Sequence, residues 1–208
     1  EVAGEAHRAG AVFAVDATQA LGRVPLELEG VDYLVASSYK WLLGIHGLGV
    51  VYLSPELGRR LAPATLGWYS VRDIFTPDRF DRYQPKPGAE RLMAGMPNFP
   101  SIYALRRGVE LLQSVGVARL HRELAPLVAE ARGHMAALGL DLLTPAAPEY
   151  ASGIVAFAHP EAERVGAALE RAGVIVWAGD GRVRISVHLY NDRSDILRFA
   201  AALEQALR

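Results

Sequence analysis

The stretch LVASSYKWLL, residues 34 to 43, decides the fold class. Its first half is a short apolar run bounded by polar residues, which reads as a buried strand. Lys40 follows almost at once, where a charged ammonium is costly to bury. The chain holds 20 arginines and only two lysines, Lys40 and Lys86. Guanidinium neither loses its proton readily nor condenses with a carbonyl, so arginine cannot replace a nucleophilic lysine. Lys40 therefore reads as a neutral, reactive amine, or else as a lysine whose stem carries its charge out to solvent. Lys86 stands between Pro85 and Pro87 and reads as an exposed loop residue.

Two further apolar, β-branched runs flank this stretch, at residues 12 to 15 and 49 to 53, and the run at 33 to 36 lies between them. None alternates cleanly between apolar and polar, so the expectation is an α/β sheet covered on both faces. Residues 1 to 10 read as the end of a helix stopping at Gly10. Little else before residue 60 could cover such a sheet, so the expected object is a fragment or one part of a split protein. Asp16 closes the first strand, at the carboxyl end where open α/β sheets place ligands. Taken alone it serves either a ligand or a helix N-terminus. Paired with Lys40, it completes what pyridoxal phosphate chemistry requires: an amine for the imine and an acid to keep the pyridine ring protonated.

Residues 55 to 97 read as a long loop carrying short helices. Apolar residues then recur at helical spacing from Phe99 to Leu112 and from Leu120 to Leu138, with Pro126 expected to kink the second helix. From Gly139 the pattern runs strand (140 to 143), strand (154 to 158), helix (161 to 172), strand (174 to 177), strand (183 to 187), helix (194 to 207). That is a compact α+β domain, with its boundary expected near residues 112 to 118.

Composition narrows the function. With 51% apolar residues, 208 residues suffice for a substantial core. The balance of 22 basic and 23 acidic residues gives no electrostatic footprint for nucleic acid or a membrane surface. No cysteine is present, which removes disulfides, thiolate metal sites and a cysteine nucleophile. The six histidines lack metal-ligand spacing. The expected partner is a small molecule, and the expected compartment is the cytoplasm.

Five strings taken in order, DATQALG (16 to 22), SSYK (37 to 40), GLGVVYL (47 to 53), AGMPN (94 to 98) and RISVHLYN (184 to 191), carry a resemblance. The chain resembles the class V aminotransferase family of fold-type I pyridoxal phosphate enzymes. That family includes cysteine desulfurases, selenocysteine lyases, isopenicillin epimerase-like proteins and, more distantly, kynureninases. The similarity runs over essentially all 208 residues and matches the second half of the family's longer chain. It implies part of the fold-type I large, cofactor-binding domain over residues 1 to 115 and a complete small α+β C-terminal domain over 116 to 208. It makes Lys40 the Schiff-base lysine and Asp16 the partner of the pyridine nitrogen of pyridoxal 5'-phosphate. Gln19 would contact the ring's phenolic oxygen, Ser37 and Tyr39 the phosphate, and Arg184 the substrate carboxylate through a two-pronged hydrogen bond. The resemblance implies an amino-acid substrate and a homodimer in which residues 93 to 98 reach the other subunit's cofactor.

Departures from the family pattern shape these expectations. Desulfurases carry a reactive cysteine shortly before the carboxylate arginine, whereas here the chain reads WAGDGRVR, residues 177 to 184. Met96 stands where the family often has a phosphate-binding threonine, so only its backbone amide could serve. GWYS, residues 67 to 70, resembles the kynureninase-like branches more than the desulfurases. The family's ring-stacking aromatic and a phosphate-binding loop belong to its first half and are not among these residues. Transamination, elimination and racemisation share an early stage, and the sequence does not choose among them. Two alternatives stay open: a noncatalytic or split fragment of the fold, and a desulfurase-like lyase without its own persulfide cysteine.

Overall fold

Tyr33–Ser37 forms the middle strand of a three-stranded sheet, where its aromatic and branched residues suit a pleated surface. The computed structural model describes residues 1 to 208, which divide into two compact units. The first holds residues 1 to 22 and 26 to 114, the second residues 23 to 25 and 115 to 208.

In the first unit, helix α1 (Val2–Arg8) precedes strands β1 (Ala14–Asp16), β2 (Tyr33–Ser37) and β3 (Gly49–Leu53). β1 pairs parallel with β2, and β3 pairs antiparallel with β2. Ala17, Val31, Leu34 and Ala36 form the buried cluster, with Phe13, Val15, Leu21 and Tyr52 packed against it. The sheet is less covered than its sequence suggests: β1 is half-buried at Val15 only, and Val12 and Val51 are exposed. The strand expected at residues 12 to 15 starts later, at Ala14. Residues 55 to 97 hold α2 (Pro55–Arg60), one short 3-10 turn (Gly88–Leu92) and a bridge between Val71 and Pro85. Lys86 departs from expectation: it is half-buried, its Nζ 5.7 Å from the centre of the Tyr69 ring.

Helix α3 (Phe99–Val115) closes on the turn that carries Lys40. A Cβ on Gly108 would stand 2.2 Å from the Leu42 carbonyl oxygen, and one on Gly22 2.9 Å from that of Trp41. Only glycine lets these three backbones meet.

In the second unit, an antiparallel sheet of order β4-β5-β7-β6 comprises β4 (Asp141–Leu142), β5 (Ile154–Ala158), β6 (Trp177–Gly179) and β7 (Arg182–Ser186). Helices α4 (Val117–Ala137), α5 (Ala162–Arg171) and α6 (Arg193–Ala206) pack on one another and on the sheet. Val155 and Phe157 of β5, Val183 and Ile185 of β7, and Leu124, Met135, Leu169 and Leu203 of the helices are all buried. Alternation then puts Ala156, Arg182 and Arg184 on the other face. α6 starts at a capping box in which Asp192 accepts from the Ser194 and Asp195 amides and Asp195 accepts from the Asp192 amide. α4 is one helix with Pro126 inside it. One expectation shifts. Residues 174 to 176 are not a strand; β6 begins at Trp177, because Val174 is still tied to α5 through its amide bond to the Leu169 carbonyl.

Gly108→Ala tests the fit of α3 on the Lys40 turn. Alanine adds about 1 kcal/mol of helix propensity, but a methyl group 2.2 Å from a backbone oxygen that cannot rotate away costs more, by overpacking of roughly 1 to 3 kcal/mol. The expected outcome is a lower urea midpoint, with a net loss of up to about 2 kcal/mol. An unchanged or raised midpoint would show that the contact yields freely.

Candidate active site

β1 and β2 are parallel, so their carboxyl ends lie side by side, and Asp16 pairs across to Val35 one turn of pleat short of Ser37. Thr18 joins the two ends. Its amide donates to Asp16 Oδ1 at 2.9 Å, and its Oγ1 accepts from the Ser37 amide at 3.0 Å. The Thr18 hydroxyl also bonds Asp16, and this is the largest cause holding that carboxyl below its ordinary value of 3.8. The Thr18 amide and the nearby positive charge of Lys40 act in the same direction, and partial desolvation opposes them. Asp16 is thus an exposed carboxylate held in its ionised form, with Lys40 close enough to act on it.

Lys40 sits half-buried in a turn fixed from several sides. The Leu43 amide donates to the Lys40 carbonyl at 3.1 Å, and the Gly44 amide to the Ser38 carbonyl at 2.8 Å. Ser38 is fully buried and its hydroxyl donates to the Ile45 carbonyl. Leu43 takes φ 58°, a left-handed conformation that a leucine holds only where its surroundings impose it. Trp41 is buried, and its indole N–H donates to Gln19 Oε1 at 3.0 Å. Because an indole nitrogen can only donate, this bond fixes which end of the Gln19 amide is the oxygen and leaves its NH2 to donate to a ligand.

Tyr39 is exposed and stacks on His46, ring centres 4.0 Å apart, with Lys40 Nζ 6.0 Å from the Tyr39 ring. Ser37 ends β2, half-buried. Asp16, Gln19, Ser37, Tyr39 and Lys40 therefore cluster at one end of the first unit's sheet. Met96 is exposed, with its sulfur accepting from the Tyr69 hydroxyl at 3.3 Å, in a segment that no bond ties to that cluster. Arg184 belongs to the second unit, on β7, with its guanidinium carbon 5.3 Å from the Trp177 ring centre.

Sequence reasoning missed Thr18, Trp41 and Arg23. The signal for Thr18 was present, since an aspartate two residues before a threonine at a strand end invites an Asx turn. Trp41 carried no separate signal. Arg23 is fully buried in the second unit, where its Nε donates to the Val187 carbonyl at 3.1 Å; beside it, burial first and the Arg23 charge second hold His121 below the usual histidine range.

The donor set suits pyridoxal 5'-phosphate: an anion for a pyridinium nitrogen, an amide NH2 for a phenolate, hydroxyls and amides for a phosphate, and an amine for an aldehyde. The family model for class V aminotransferases matches residues 1 to 199. The chain belongs to the class V aminotransferase family. It is 30% identical over 191 residues to an uncharacterized aminotransferase, YcbU, of Bacillus subtilis, covering 91% of this chain and 50% of that protein. It is 31% identical over 176 residues to a kynureninase of Pseudomonas fluorescens, covering 81% and 42%. Among solved structures, the apo cysteine desulfurase of Thermococcus onnurineus superposes with a TM-score of 0.86 at 26% identity, over 98% of this chain and 54% of that one. The chain thus spans about half the length of the curated relatives it matches, and its α/β fold is that of fold-type I over that half. Class V aminotransferases use pyridoxal 5'-phosphate. No helix is long and apolar enough to cross a membrane.

Thr18→Val removes the hydroxyl bond that does most to hold Asp16 ionised. As the folded pKa lies below 3.8, the stability this carboxylate adds is complete above that value and lost as the pH falls through the folded one. In the variant, carbon-detected NMR titration of Asp16 is expected to move its midpoint up toward 3.8 and to shift the acid loss of stability to higher pH. A midpoint that stays put would show that another group sets the charge.

Proposed function

We propose that this chain is the lysine-bearing part of a pyridoxal 5'-phosphate enzyme of class V that acts on an amino acid. The observation that carries the reading is the common seat of Lys40, Asp16 and Gln19 at the carboxyl ends of β1 and β2, with Asp16 held anionic and the Gln19 amide turned to donate. Bound there, the cofactor supplies an electron sink that makes a Cα proton acidic. Lys40 would bond its aldehyde carbon and, once displaced by the substrate's amine, serve as the base at the Cα proton. Asp16 would keep the pyridine nitrogen protonated. Gln19 would donate to the phenolic oxygen, Ser37 and Tyr39 to phosphate oxygens, and Arg184 would grip the substrate carboxylate with paired N–H groups. Met96, through its backbone amide and within residues 93 to 98, would reach the phosphate of a second copy in a homodimer.

Adding pyridoxal 5'-phosphate is expected to give a visible absorption band in the wild-type protein. That band should vanish in Lys40→Ala, and borohydride treatment should leave a pyridoxyl group on the Lys40 peptide by mass spectrometry. Labelling of Lys86 instead, or a band that survives Lys40→Ala, would overturn the assignment.

A second reading, a noncatalytic or split part of this fold, draws on one observation: β1 is a sparsely covered edge strand beside exposed Val12. Under it, the band would form only when the remaining length of the family fold is supplied in trans.

A further inference from the structure

The Arg184 guanidinium makes neither an ion pair nor a hydrogen bond; it lies over an indole. Trp177 and Arg184 are directly opposite one another across the β6–β7 ladder, and Arg182 is the diagonal neighbour on the same face. Both guanidinium carbons stand over the ring, at 5.3 Å for Arg184 and 5.2 Å for Arg182, within the reach of a cation–π attraction. The two differ in what else they hold. Arg182 is shared with Asp180, at 3.7 Å, whereas Arg184 has no carboxylate beside it.

The ring itself has little freedom. The turn joining the strands is made by Asp180 and Gly181, both at positive φ (50° and 70°), as in the tight two-residue hairpins that fix register. A Cβ on Gly179 would meet the six-membered part of the Trp177 ring at 3.3 Å, so the indole leans along its own strand onto a residue with no side chain. On the other flank of Arg184 stands Ala156, which is too short to hold a guanidinium.

We propose that Trp177 is a positioning residue for Arg184: it holds the guanidinium by its face and leaves the edge N–H groups to a ligand carboxylate. A carboxylate partner in the protein would consume those donors, and an aliphatic neighbour would let the side chain roam among rotamers. An aromatic face does neither, and it orders a long side chain before the ligand arrives. The inference rests on the reading of Arg184 as the carboxylate-binding residue.

Two measurements on the cofactor-loaded protein separate this inference from that reading. In the first, NMR relaxation of the Arg184 Nε–Hε group is recorded without ligand for wild type, Trp177→Phe and Trp177→Leu. Arg184 should be ordered in the first two and mobile in the third; unchanged order in Trp177→Leu would overturn the inference. In the second, dissociation constants for L-alanine and L-alaninamide are read from the cofactor's absorbance. Trp177→Leu is expected to weaken L-alanine about 5-fold and to leave L-alaninamide alone, with Trp177→Phe within about 2-fold of wild type. Arg184→Gln should abolish the preference for the acid. If it does not, the reading of Arg184 fails and the inference with it. If it does while Trp177→Leu keeps full discrimination, the inference alone fails.

Discussion

A single hydroxyl ties the fold to its chemistry. Thr18 accepts from the Ser37 amide, which clamps the carboxyl ends of two parallel strands, and bonds Asp16 through both its hydroxyl and its amide. The bridge adds to the hold of Ala17, whose amide donates to the Val35 carbonyl at 2.7 Å and whose side chain lies in the buried cluster. The same bridge also keeps the carboxylate charged where it faces solvent and would otherwise need a cation to stay so at low pH. Structure and electrostatics at this end of the sheet are therefore one constraint, and the Lys40 turn is built against it through the Trp41 to Gln19 bond.

How much of this was legible follows from the range of the interactions. The three strands of the first unit and the order of elements after Gly139 were readable, because apolar runs and helical spacing are local signals. Lys40 stood out because arginine had displaced lysine almost everywhere else, and Asp16 because it ends a strand. The exposure of Val12 and Val51 was not readable: a continuous apolar run says that a strand can be covered on both faces, and says nothing of what covers it. The start of β6 was misplaced for a related reason. Val174 and Val176 look like strand residues, but Ala172, Gly173 and Val174 are still closing the end of α5, and a helix terminus outranks β-propensity.

Partners distant in sequence were out of reach altogether. Arg23 looks like a surface residue in a loop following a glycine, yet it is buried against the backbone of Val187, 164 residues away. Nothing in its neighbours marks it, because its burial is set by a segment that packs with the second unit while its flanks pack with the first. The Trp177 contact with Arg184 lies between these extremes. The spacing WAGDGRVR contains the hairpin, with Asp-Gly at its centre, and a two-residue turn dictates which residues face one another. The register was thus in the sequence, although it takes the fold to show that both arginines share one face with the indole.

That hairpin also restricts the chemistry on the proposed reading. Asp180 and Gly181 connect β6 to β7 with no residues to spare, and each is held at a positive φ that admits few side chains. A loop bearing a mobile nucleophile needs length and slack, and this connection has neither. No cysteine is present in the chain, so this hairpin carries no thiol. The Lys40 turn of the first unit is also held in shape, by Gly22, Gly108 and a left-handed Leu43. Many of the contacts that fix the Lys40 turn are to backbone atoms, which substitution of a neighbouring side chain does not remove.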